Sequence, residues 1–476
     1  MSTTSKAGQR INALLDDNSF VEVGGLVTDR ATDFNTEPKN APNDGCVTGF
    51  GTINGNPVYV YSQDASVLGG SIGEMHAKKI TDIYDKALKT GAPVIGLIEC
   101  AGLRLEEATD AMNAFGEIYL KQTISSGVIP QITAILGSCG GGLSLFSTLT
   151  DFTFIEEKNG KLFVNSPNAL DGNNISKNDT SSAEFNAKES GIADVVADEA
   201  TIFTKIRELV SLIPSNNEVE ADLVETEDDL NRVNPEIAGC VGDTSVALSI
   251  IADDNDFFEV KKDFAKEMVT GFIRLNGATI GAVANRAEIL DENGKVTEKK
   301  GAVLTVEGCR KAAEFINFCD AFDIPVLSLT NATGFAATVE SEKRIAIAAG
   351  KLTYAFANAT VPKVNVIVGK AFGTAYSIMN SKAIGADMTY AWEGAQIGAM
   401  DAKLAAKIIC DGKSEEEINK KASEYEASYI NASNAAKRGY VDAIIAPQDT
   451  RKYVIGAFEM LYAKREDRPD KKHGTV

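Results

Sequence analysis

Three consecutive glycines follow an apolar, β-branched segment in the first half of the chain, in the sequence GSCGGG at residues 137–142. Gly140, Gly141 and Gly142 allow positive φ and let a ligand approach the backbone closely. The residues after them have a helical pattern, and the first amides of a helix are unpaired within it and lie at its positive dipole end. Such a turn can bind phosphate or stabilise an oxyanion. Close packing of helix on strand is the alternative explanation of these glycines.

A second turn of this kind, KAFGTAYSIMNSK, occupies residues 370–382. Two amide turns suit one chemistry well. A CoA thioester that loses a proton from its α-carbon becomes an enolate, and a second oxyanion develops on the carbonyl of a carboxyl donor. Little side-chain acid–base chemistry is then needed, and the chain has only two histidines, His76 and His473. We expect His76 to be a neutral, packed or capping residue rather than a base.

The elements that position these turns occur twice. GFGTINGNPVYVYSQD (49–64) resembles GFIRLNGATIGAVANR (271–286), and each predicts a β-hairpin with a type I′ Asn-Gly turn. An offset of 232 residues then aligns Pro93 with Pro325 (325 − 93 = 232), and the strand before each glycine turn with the other. Helical segments at 72–92 and 305–324 lie between the paired strands. The order predicts α/β domains with largely parallel inner strands, and the polar segment 291–300 is expected to be an insertion in the second copy.

The length of 476 residues and the acidic stretch 214–235, with a proline at each end, predict two domains, 1–225 and 226–476. The formal net charge of −20 argues against a nucleic-acid partner. No signal peptide or membrane-spanning helix is evident, and the seven cysteines form no C-x-x-C pair, which favours a cytoplasmic protein without a zinc or disulfide framework. With so few histidines we expect no metal site.

The chain also resembles the carboxyltransferase subunits of biotin-dependent acyl-CoA carboxylases, both the β subunits of propionyl-CoA carboxylase and the α subunits of methylmalonyl-CoA decarboxylase. The resemblance covers nearly the whole chain. The segments that carry it are NSFVEV (18–23), GFGTINGNPVYVYSQD (49–64), GGSIGEMHAKKI (69–80), SGVIPQI (126–132), SLIPSNN (211–217), KAAEFINFCDAFDIPVL (311–327), ATVPKVNVIVGKAFG (359–373) and AAKRGYVDAIIAPQDTRK (435–452).

This resemblance implies two crotonase-like domains, a hexamer, and an active site between the N-terminal half of one subunit and the C-terminal half of another. Gly141 and Gly142 correspond to the family's first oxyanion amide pair, and Thr374 and Ala375 to the second. Acyl-CoA would bind along the N-terminal half and carboxybiotin along the C-terminal half. The chain has no A-M-K-M motif, so biotin would come on a separate carrier protein. A biotin carboxylase subunit or a membrane decarboxylase subunit would be a further partner.

Further residues are expected to contact substrate, either by position in the family's motifs or by charge near them: Lys78, Cys100, Gly102, Arg104, Gly140, Gly334, Phe335 and Ser377. For Lys78 a solvated side chain is the alternative, and for Arg104 an ion pair. The chain departs from the family pattern at Cys100–Arg104 (C-A-G-L-R for S-G-G-A-R) and at Ala332–Phe335 (A-T-G-F for V-P-G-F). Thr374 replaces a glycine, and its N–H remains a donor if its φ is negative.

The leading interpretation is carboxyl transfer between carboxybiotin and the α-carbon of a short acyl-CoA. The departures leave two alternatives. One is a biotin-independent, crotonase-type decarboxylase of CoA esters, and the other is a non-catalytic scaffold subunit of a carboxylase complex. The sequence does not choose among propionyl, methylmalonyl, acetyl, malonyl and glutaconyl thioesters, nor between the carboxylase and decarboxylase directions.

Overall fold

In the computed structural model, which describes residues 4–34, 39–291, 293–469 and 474, the chain divides into two units, Met1–Asp222 and Leu223–Val476. The division lies inside the acidic stretch 214–235, in which all residues before the 3-10 turn Pro235–Cys240 lack helix and strand. His473 lies outside the described residues.

The first unit contains an eight-stranded sheet in the order β1-β2-β3-β4-β5-β6-β8, with β7 paired to β5. Its strands are β1 (Val21–Val23), β2 (Cys46–Ile53), β3 (Asn56–Gln63), β4 (Val94–Cys100), β5 (Gln131–Gly140), β6 (Phe152–Glu156), β7 (Lys161–Phe163) and β8 (Val195–Ala197). Its helices are α1 (Lys6–Leu14), α2 (Glu74–Thr90), α3 (Ala108–Ser125), α4 (Phe146–Leu149), α5 (Asn173–Ser176), α6 (Ala183–Lys188) and α7 (Glu199–Leu212). The pairs from β3 onward are parallel.

The second unit repeats this sheet in the order β20-β18-β17-β15-β11-β10-β9, with β19 paired to β17. Its strands are β9 (Phe257–Val260), β10 (Met268–Leu275), β11 (Ala278–Asn285), β12 (Glu288–Leu290), β13 (Val296–Lys299), β14 (Val303–Leu304), β15 (Val326–Ala332), β16 (Gly334–Phe335), β17 (Lys363–Phe372), β18 (Met388–Trp392), β19 (Gln396–Gly398) and β20 (Ala443–Ile445). Its helices are α8 (Thr244–Ile251), α9 (Val306–Ala321), α10 (Val339–Glu342), α11 (Ile345–Asn358), α12 (Gly373–Ile378), α13 (Ala402–Ile409), α14 (Glu415–Tyr429), α15 (Ala432–Lys437) and α16 (Thr450–Leu461).

The register of the central strands repeats with the offset of 232 that the sequence predicts. Val94 pairs with Gln131 between β4 and β5, and Val326 pairs with Lys363 between β15 and β17. The irregularity in the first pair lies before Cys100, and that in the second lies before Ala332, which is again 232 residues later (332 − 100 = 232). The predicted α/β fold and the predicted duplication are confirmed.

Each predicted hairpin turn has the expected geometry. Each is also held by a clamp that the sequence did not predict, which consists of a carboxylate that accepts the two turn amides and an arginine paired with that carboxylate. Asn54 and Gly55 have φ of 51° and 85°, and Asn276 and Gly277 have φ of 53° and 78°, as a type I′ turn requires. The Asp16 carboxylate accepts the amides of Asn54 and Gly55 at 2.9 Å each, and a guanidinium nitrogen of Arg207 in α7 lies 2.7 Å from it. Those bonds lower the pKa of Asp16 against the opposing effect of burial.

The second hairpin carries the same clamp. Asp253 accepts the amides of Asn276 and Gly277 at 3.1 Å and 2.7 Å, and Arg451 in α16 lies 2.7 Å from that carboxylate. Each clamp therefore joins the Asn-Gly hairpin of a unit to its last long helix.

Candidate functional site

The first glycine turn begins where β5 ends. Gly140 is extended, with φ of −117° and ψ of 158°, and Gly141 is left-handed with φ of 65°. A 3-10 helix follows at Gly141–Leu145 and continues into α4. Apart from its own chain neighbours, no atom of the described residues would lie within 4 Å of a Cβ on Gly141, so there is open space beside this turn. The amides that start the helix are donors without partners inside it, as an oxyanion site requires.

The second glycine turn has the same backbone at the end of β17. Phe372 is extended with φ of −119° and ψ of 138°, Gly373 is left-handed with φ of 58°, and α12 starts there. Thr374 is exposed, and it is not among the described residues with positive φ, so its N–H lies in the orientation of a helical first turn. Ala375 is buried, and Ser377 donates from Oγ to the Gly373 carbonyl at 3.3 Å.

The strand-end segment beside the first turn contains Cys100 and Gly102. Gly102 has φ of 103°, and a Cβ placed on it would lie 4.0 Å from the carbonyl oxygen of Gly140, so the two glycines are neighbours. Gly102 N–H donates to the Cys100 sulfur at 3.2 Å. Burial raises the pKa of Cys100 to about 11 despite this bond, so the thiol stays protonated. Cys100 therefore contributes volume and a weak acceptor here, not a thiolate.

The corresponding segment of the second unit carries Gly334 and Phe335. These two residues form β16, which pairs in parallel with β14 through Val303↔Gly334 and Leu304↔Phe335. Both are half-buried, and Gly334 has φ of 159°, which lies at the edge of the left-handed region. The 232-residue offset makes Gly334 the counterpart of Gly102 (334 − 102 = 232).

Arg104 is enclosed in a network of buried ion pairs. Its guanidinium lies 2.6 Å from Asp44 Oδ1 and 2.8 Å from Glu107 Oε1, and it also donates to the Ser71 carbonyl at 2.7 Å. The Arg104 side chain is 6% exposed. Burial raises the pKa of Asp44 to about 6, although Arg104 opposes the shift. The geometry favours the ion-paired alternative for Arg104 over contact with a CoA phosphate, because its donors already bind protein oxygens.

Lys78 and His76 lie in the first turns of α2, and the His76 N–H donates to the Asp44 carboxylate of this network at 2.8 Å. Lys78 is exposed, whereas its neighbour Lys79 is buried and donates to the Asn43 side-chain oxygen at 3.0 Å. The His76 ring contacts the Asp44 carbonyl at 2.9 Å through Nδ1 and the Gln63 amide at 3.2 Å through Nε2. Burial, reinforced by Arg104, lowers the pKa of His76 to about 3. His76 is therefore the neutral packed histidine that the sequence predicts.

The structure adds two groups that the sequence analysis missed. Asp44 is fully buried beside Arg104, 60 residues away in the chain, and no local pattern reveals such a pairing. Tyr119 in α3 donates its hydroxyl to the Gly142 carbonyl at 2.7 Å. In the sequence, the spacing of four residues between Phe115 and Tyr119 indicates only that both lie on one face of a helix. The contact of Tyr119 with the turn was therefore not predicted.

No group of three or more histidine, cysteine, aspartate or glutamate side chains is placed to hold a metal within the described part of the chain. Among those same residues, no helix has both the length and the apolar character of a membrane span.

The carboxyl transferase domain model matches residues 5–476. The chain thus belongs to the carboxyl transferase family, and carboxyl transfer on an acyl-CoA is the activity of that class.

Relatives and solved structures agree with this assignment. The propionyl-CoA carboxylase beta chain of Roseobacter denitrificans is 39% identical, and the match covers 99% of this chain and 93% of that protein. The methylmalonyl-CoA decarboxylase subunit alpha of Veillonella parvula is 37% identical, with coverage of 99% and 92%. Hexameric transcarboxylase 12S, solved with hydrolysed methylmalonyl-CoA, superposes with a TM-score of 0.92 at 36% identity over 100% of this chain and 93% of that one.

A single-chain long-chain acyl-CoA carboxylase matches with a TM-score of 0.77 at 22% identity, covering 95% of this chain and 46% of that one, and supports the fold alone. These findings confirm the family resemblance and the carboxyltransferase class, and they do not favour the scaffold or biotin-independent alternatives.

Proposed function

We propose that this chain transfers a carboxyl group between carrier-bound biotin and the α-carbon of a short acyl-CoA. The observation that carries the proposal is the repetition of one backbone turn. Gly141 and Gly373 are each a left-handed glycine between an extended residue and a helix start, 232 residues apart (373 − 141 = 232). One reaction with two developing oxyanions uses two such turns.

The first turn is assigned to the thioester. The N–H groups of Gly141 and Gly142 would donate to the thioester oxygen as the α-carbon loses or gains its carboxyl group. Open space beside Gly141 lets the thioester reach these amides without a clash. N–H donors that are fixed before the reaction stabilise the enolate more than they stabilise the ground-state thioester. Each such donor is worth about 10²–10³ in rate. Gly102 and Gly140, which are neighbours, are proposed to border the same space.

The second turn is assigned to the carboxyl donor. Thr374 and Ala375 would hold the ureido oxygen of biotin through their N–H groups, and exposed Thr374 at a helix start fits an incoming group on a carrier. Bound biotin supplies the N-carboxyl group that is exchanged. The chain's own part is to orient that oxygen and to stabilise the charge that collects on it. Gly334, Phe335 and Ser377 are proposed to border this space, and Lys78 remains a candidate contact for CoA.

The substrate class is proposed from the relatives. Those named above are a propionyl-CoA carboxylase chain and a methylmalonyl-CoA decarboxylase subunit. Propionyl-CoA and methylmalonyl-CoA are therefore the first thioesters to test, with acetyl-CoA and malonyl-CoA next. The proposed partners are a biotin carrier protein together with either a biotin carboxylase or a membrane decarboxylase subunit. We further propose a homohexamer in the cytoplasm.

The test is carboxyl transfer from methylmalonyl-CoA or malonyl-CoA to biocytin, a soluble biotin amide. We expect the purified chain to consume each thioester's carboxyl group only when biocytin is present. Gly142→Ala is expected to reduce this rate because its Cβ would lie 2.9 Å from the Tyr119 hydroxyl oxygen. Gly116→Ala is the matched control, since a Cβ on that helical glycine meets nothing within 4 Å. Consumption that is independent of biocytin would contradict the proposal.

A further inference from the structure

The hydroxyl of Tyr119 ties the first glycine turn to a different element of the unit. Tyr119 lies in α3, and its Oη donates to the carbonyl oxygen of Gly142 at 2.7 Å across 23 residues of chain. Gly142 itself is exposed, whereas Tyr119 is half-buried. The hydrogen bond from Tyr119 therefore holds an exposed peptide of the turn from a neighbouring helix, and not from within the turn itself.

Two buried phenylalanines hold the Tyr119 ring in this position. The rings of Tyr119 and Phe146 are 5.9 Å apart at 88°, an edge-to-face contact, and Phe115 lies 6.1 Å from Tyr119 and 6.0 Å from Phe146. Phe146 is the first residue of α4, directly after the turn. The aromatic group thus fixes the hydroxyl relative to the helix that the turn begins.

A second hydroxyl holds the preceding peptide. Ser144 is buried and donates from Oγ to the carbonyl oxygen of Gly141 at 2.7 Å. Because a peptide is planar, the Gly141 carbonyl fixes the direction of the Gly142 N–H in the same plane. The planes on both sides of the Gly142 α-carbon are therefore each held by one hydroxyl. Glycine has the greatest backbone freedom of any residue, so these bonds remove freedom that the sequence leaves open at this position.

The same contact leaves little room for a side chain at residue 142. A Cβ there would lie 2.9 Å from the Tyr119 hydroxyl oxygen, while the next atoms, in the Phe115 ring, are 3.6 Å and 3.7 Å away. The hydroxyl oxygen is thus the only one of the three nearest atoms closer than ordinary van der Waals contact.

We propose that Tyr119 is a positioning residue of the first oxyanion turn, which holds the Gly142–Leu143 peptide through its hydroxyl and so, together with Ser144 on the preceding peptide, limits the rotation of Gly142. This inference rests on the proposed function of that turn. The group acts through Gly142 and does not take part in proton transfer. Burial raises the pKa of Tyr119, so its hydroxyl remains a donor at neutral and mildly alkaline pH.

The first test is Tyr119→Phe, which removes only the hydroxyl. We expect kcat for biocytin-dependent carboxyl transfer to fall about 3- to 10-fold, the range of one neutral hydrogen bond, while the Kd for the non-reacting thioester propionyl-CoA changes less than about 2-fold. The control is Tyr59→Phe, because Tyr59 pairs with Val94 and Val94 with Gln131, at the strand ends opposite the turn. An unchanged kcat in Tyr119→Phe, or an equal loss in Tyr59→Phe, would overturn the assignment.

The second test is a double-mutant cycle with Gly142→Ala. In the wild-type background the added methyl meets the hydroxyl oxygen, and in the Tyr119→Phe background it meets only atoms at 3.6 Å or beyond. We expect Gly142→Ala to cost at least about 10-fold more in kcat when the hydroxyl is present than when it is absent. Additive losses would refute the contact. A wild-type chain that binds propionyl-CoA but transfers no carboxyl group would instead refute the proposed function.

Discussion

Gly141 and Gly373 have the same left-handed backbone, with φ of 65° and 58°, at the same point of two repeated units. What surrounds them differs. Within the described part of the chain, a Cβ on Gly141 would meet no atom within 4 Å other than its chain neighbours, whereas a Cβ on Gly373 would lie 3.1 Å from the Ala399 carbonyl oxygen. The conserved feature of the duplication is thus the course of the backbone, and each unit has built a different environment around it.

Substitution by alanine should separate backbone strain from crowding. Gly141→Ala is expected to lower the free energy of unfolding by about 1–2 kcal/mol, the cost of a left-handed L-residue. Gly373→Ala is expected to cost more, because its methyl also presses on the Ala399 carbonyl. Urea unfolding of both variants measures the difference. Equal losses would mean that the second turn relaxes away from Ala399.

Arg104 is predicted to stabilise the fold rather than to bind CoA. Arg104→Met leaves the buried carboxylates of Asp44 and Glu107 without their cation, and we expect a loss of about 3–5 kcal/mol in the free energy of unfolding. Lys86→Met, which breaks the exposed pair with Asp82, should cost less than about 1 kcal/mol. Adding Asp44→Asn to Arg104→Met should restore part of the loss. A stable Arg104→Met variant with weakened CoA binding would instead support a phosphate contact.

His76 should make stability depend on pH in the acidic range. Its pKa is about 3 in the folded chain against an ordinary value of 6.5, so the unfolded chain binds the proton more tightly. The stability that neutral His76 provides is therefore complete above pH 6.5 and is lost as pH falls toward 3. Between about pH 8 and pH 5.5 the loss in the free energy of unfolding is about 1.4 kcal/mol.

The measurement compares wild type with His76→Asn, whose amide can still donate to the Asp44 carbonyl. Asp44, Lys79 and Arg104 surround His76 and titrate or carry charge in both proteins, so the difference between the two unfolding curves isolates the ring. We expect the wild-type advantage to narrow as pH falls. A constant difference would show that His76 does not titrate on unfolding.

Ala108 has a backbone that favours glycine, with φ of 46° and ψ of −117° at the start of α3. Ala108→Gly relieves strain of about 1–3 kcal/mol and loses about 0.5–1 kcal/mol through the freer unfolded chain. The expected result is a gain of about 1 kcal/mol in the free energy of unfolding. Ala427→Gly, at an exposed helical position in α14, is the control and should lose about 1 kcal/mol. A loss in both variants would rule out strain at Ala108.

Thr374 is expected to limit the use of biotin. Its exposed β-branched side chain stands beside the second pair of amides, where the first turn has Gly142 (374 − 142 = 232). Thr374→Gly should raise the rate of transfer to biocytin about 3- to 10-fold without changing the affinity for propionyl-CoA. That gain is below the roughly 10²–10³ that an oxyanion donor is worth, because the N–H is present in both proteins. A slower variant would assign the hydroxyl a positive role.

The repeat and its turns were predictable because they depend on local signals. Asn54-Gly55 specifies its own turn, and the triple glycine ends its own strand. The surroundings of the turns were not predictable in the same way. Arg104 pairs with Asp44 across 60 residues, and Tyr119 reaches Gly142 across 23, so only the folded chain brings these groups together. The burial that shifts the pKa values of His76 and Asp44 is likewise a property of the folded first unit.

The clamps on the two Asn-Gly turns make each unit close on itself. Asp16 and Arg207 are 191 residues apart, and Asp253 and Arg451 are 198 apart, yet each pair joins an early hairpin to a late helix. The arginine of each pair lies in a helix near the end of its unit, so the carboxylate at the hairpin turn has this partner only when that helix is in place. Fraying at α7 or α16 would remove the guanidinium from the carboxylate that holds the Asn-Gly turn near the start of the same unit. A gene duplication could copy such a unit whole.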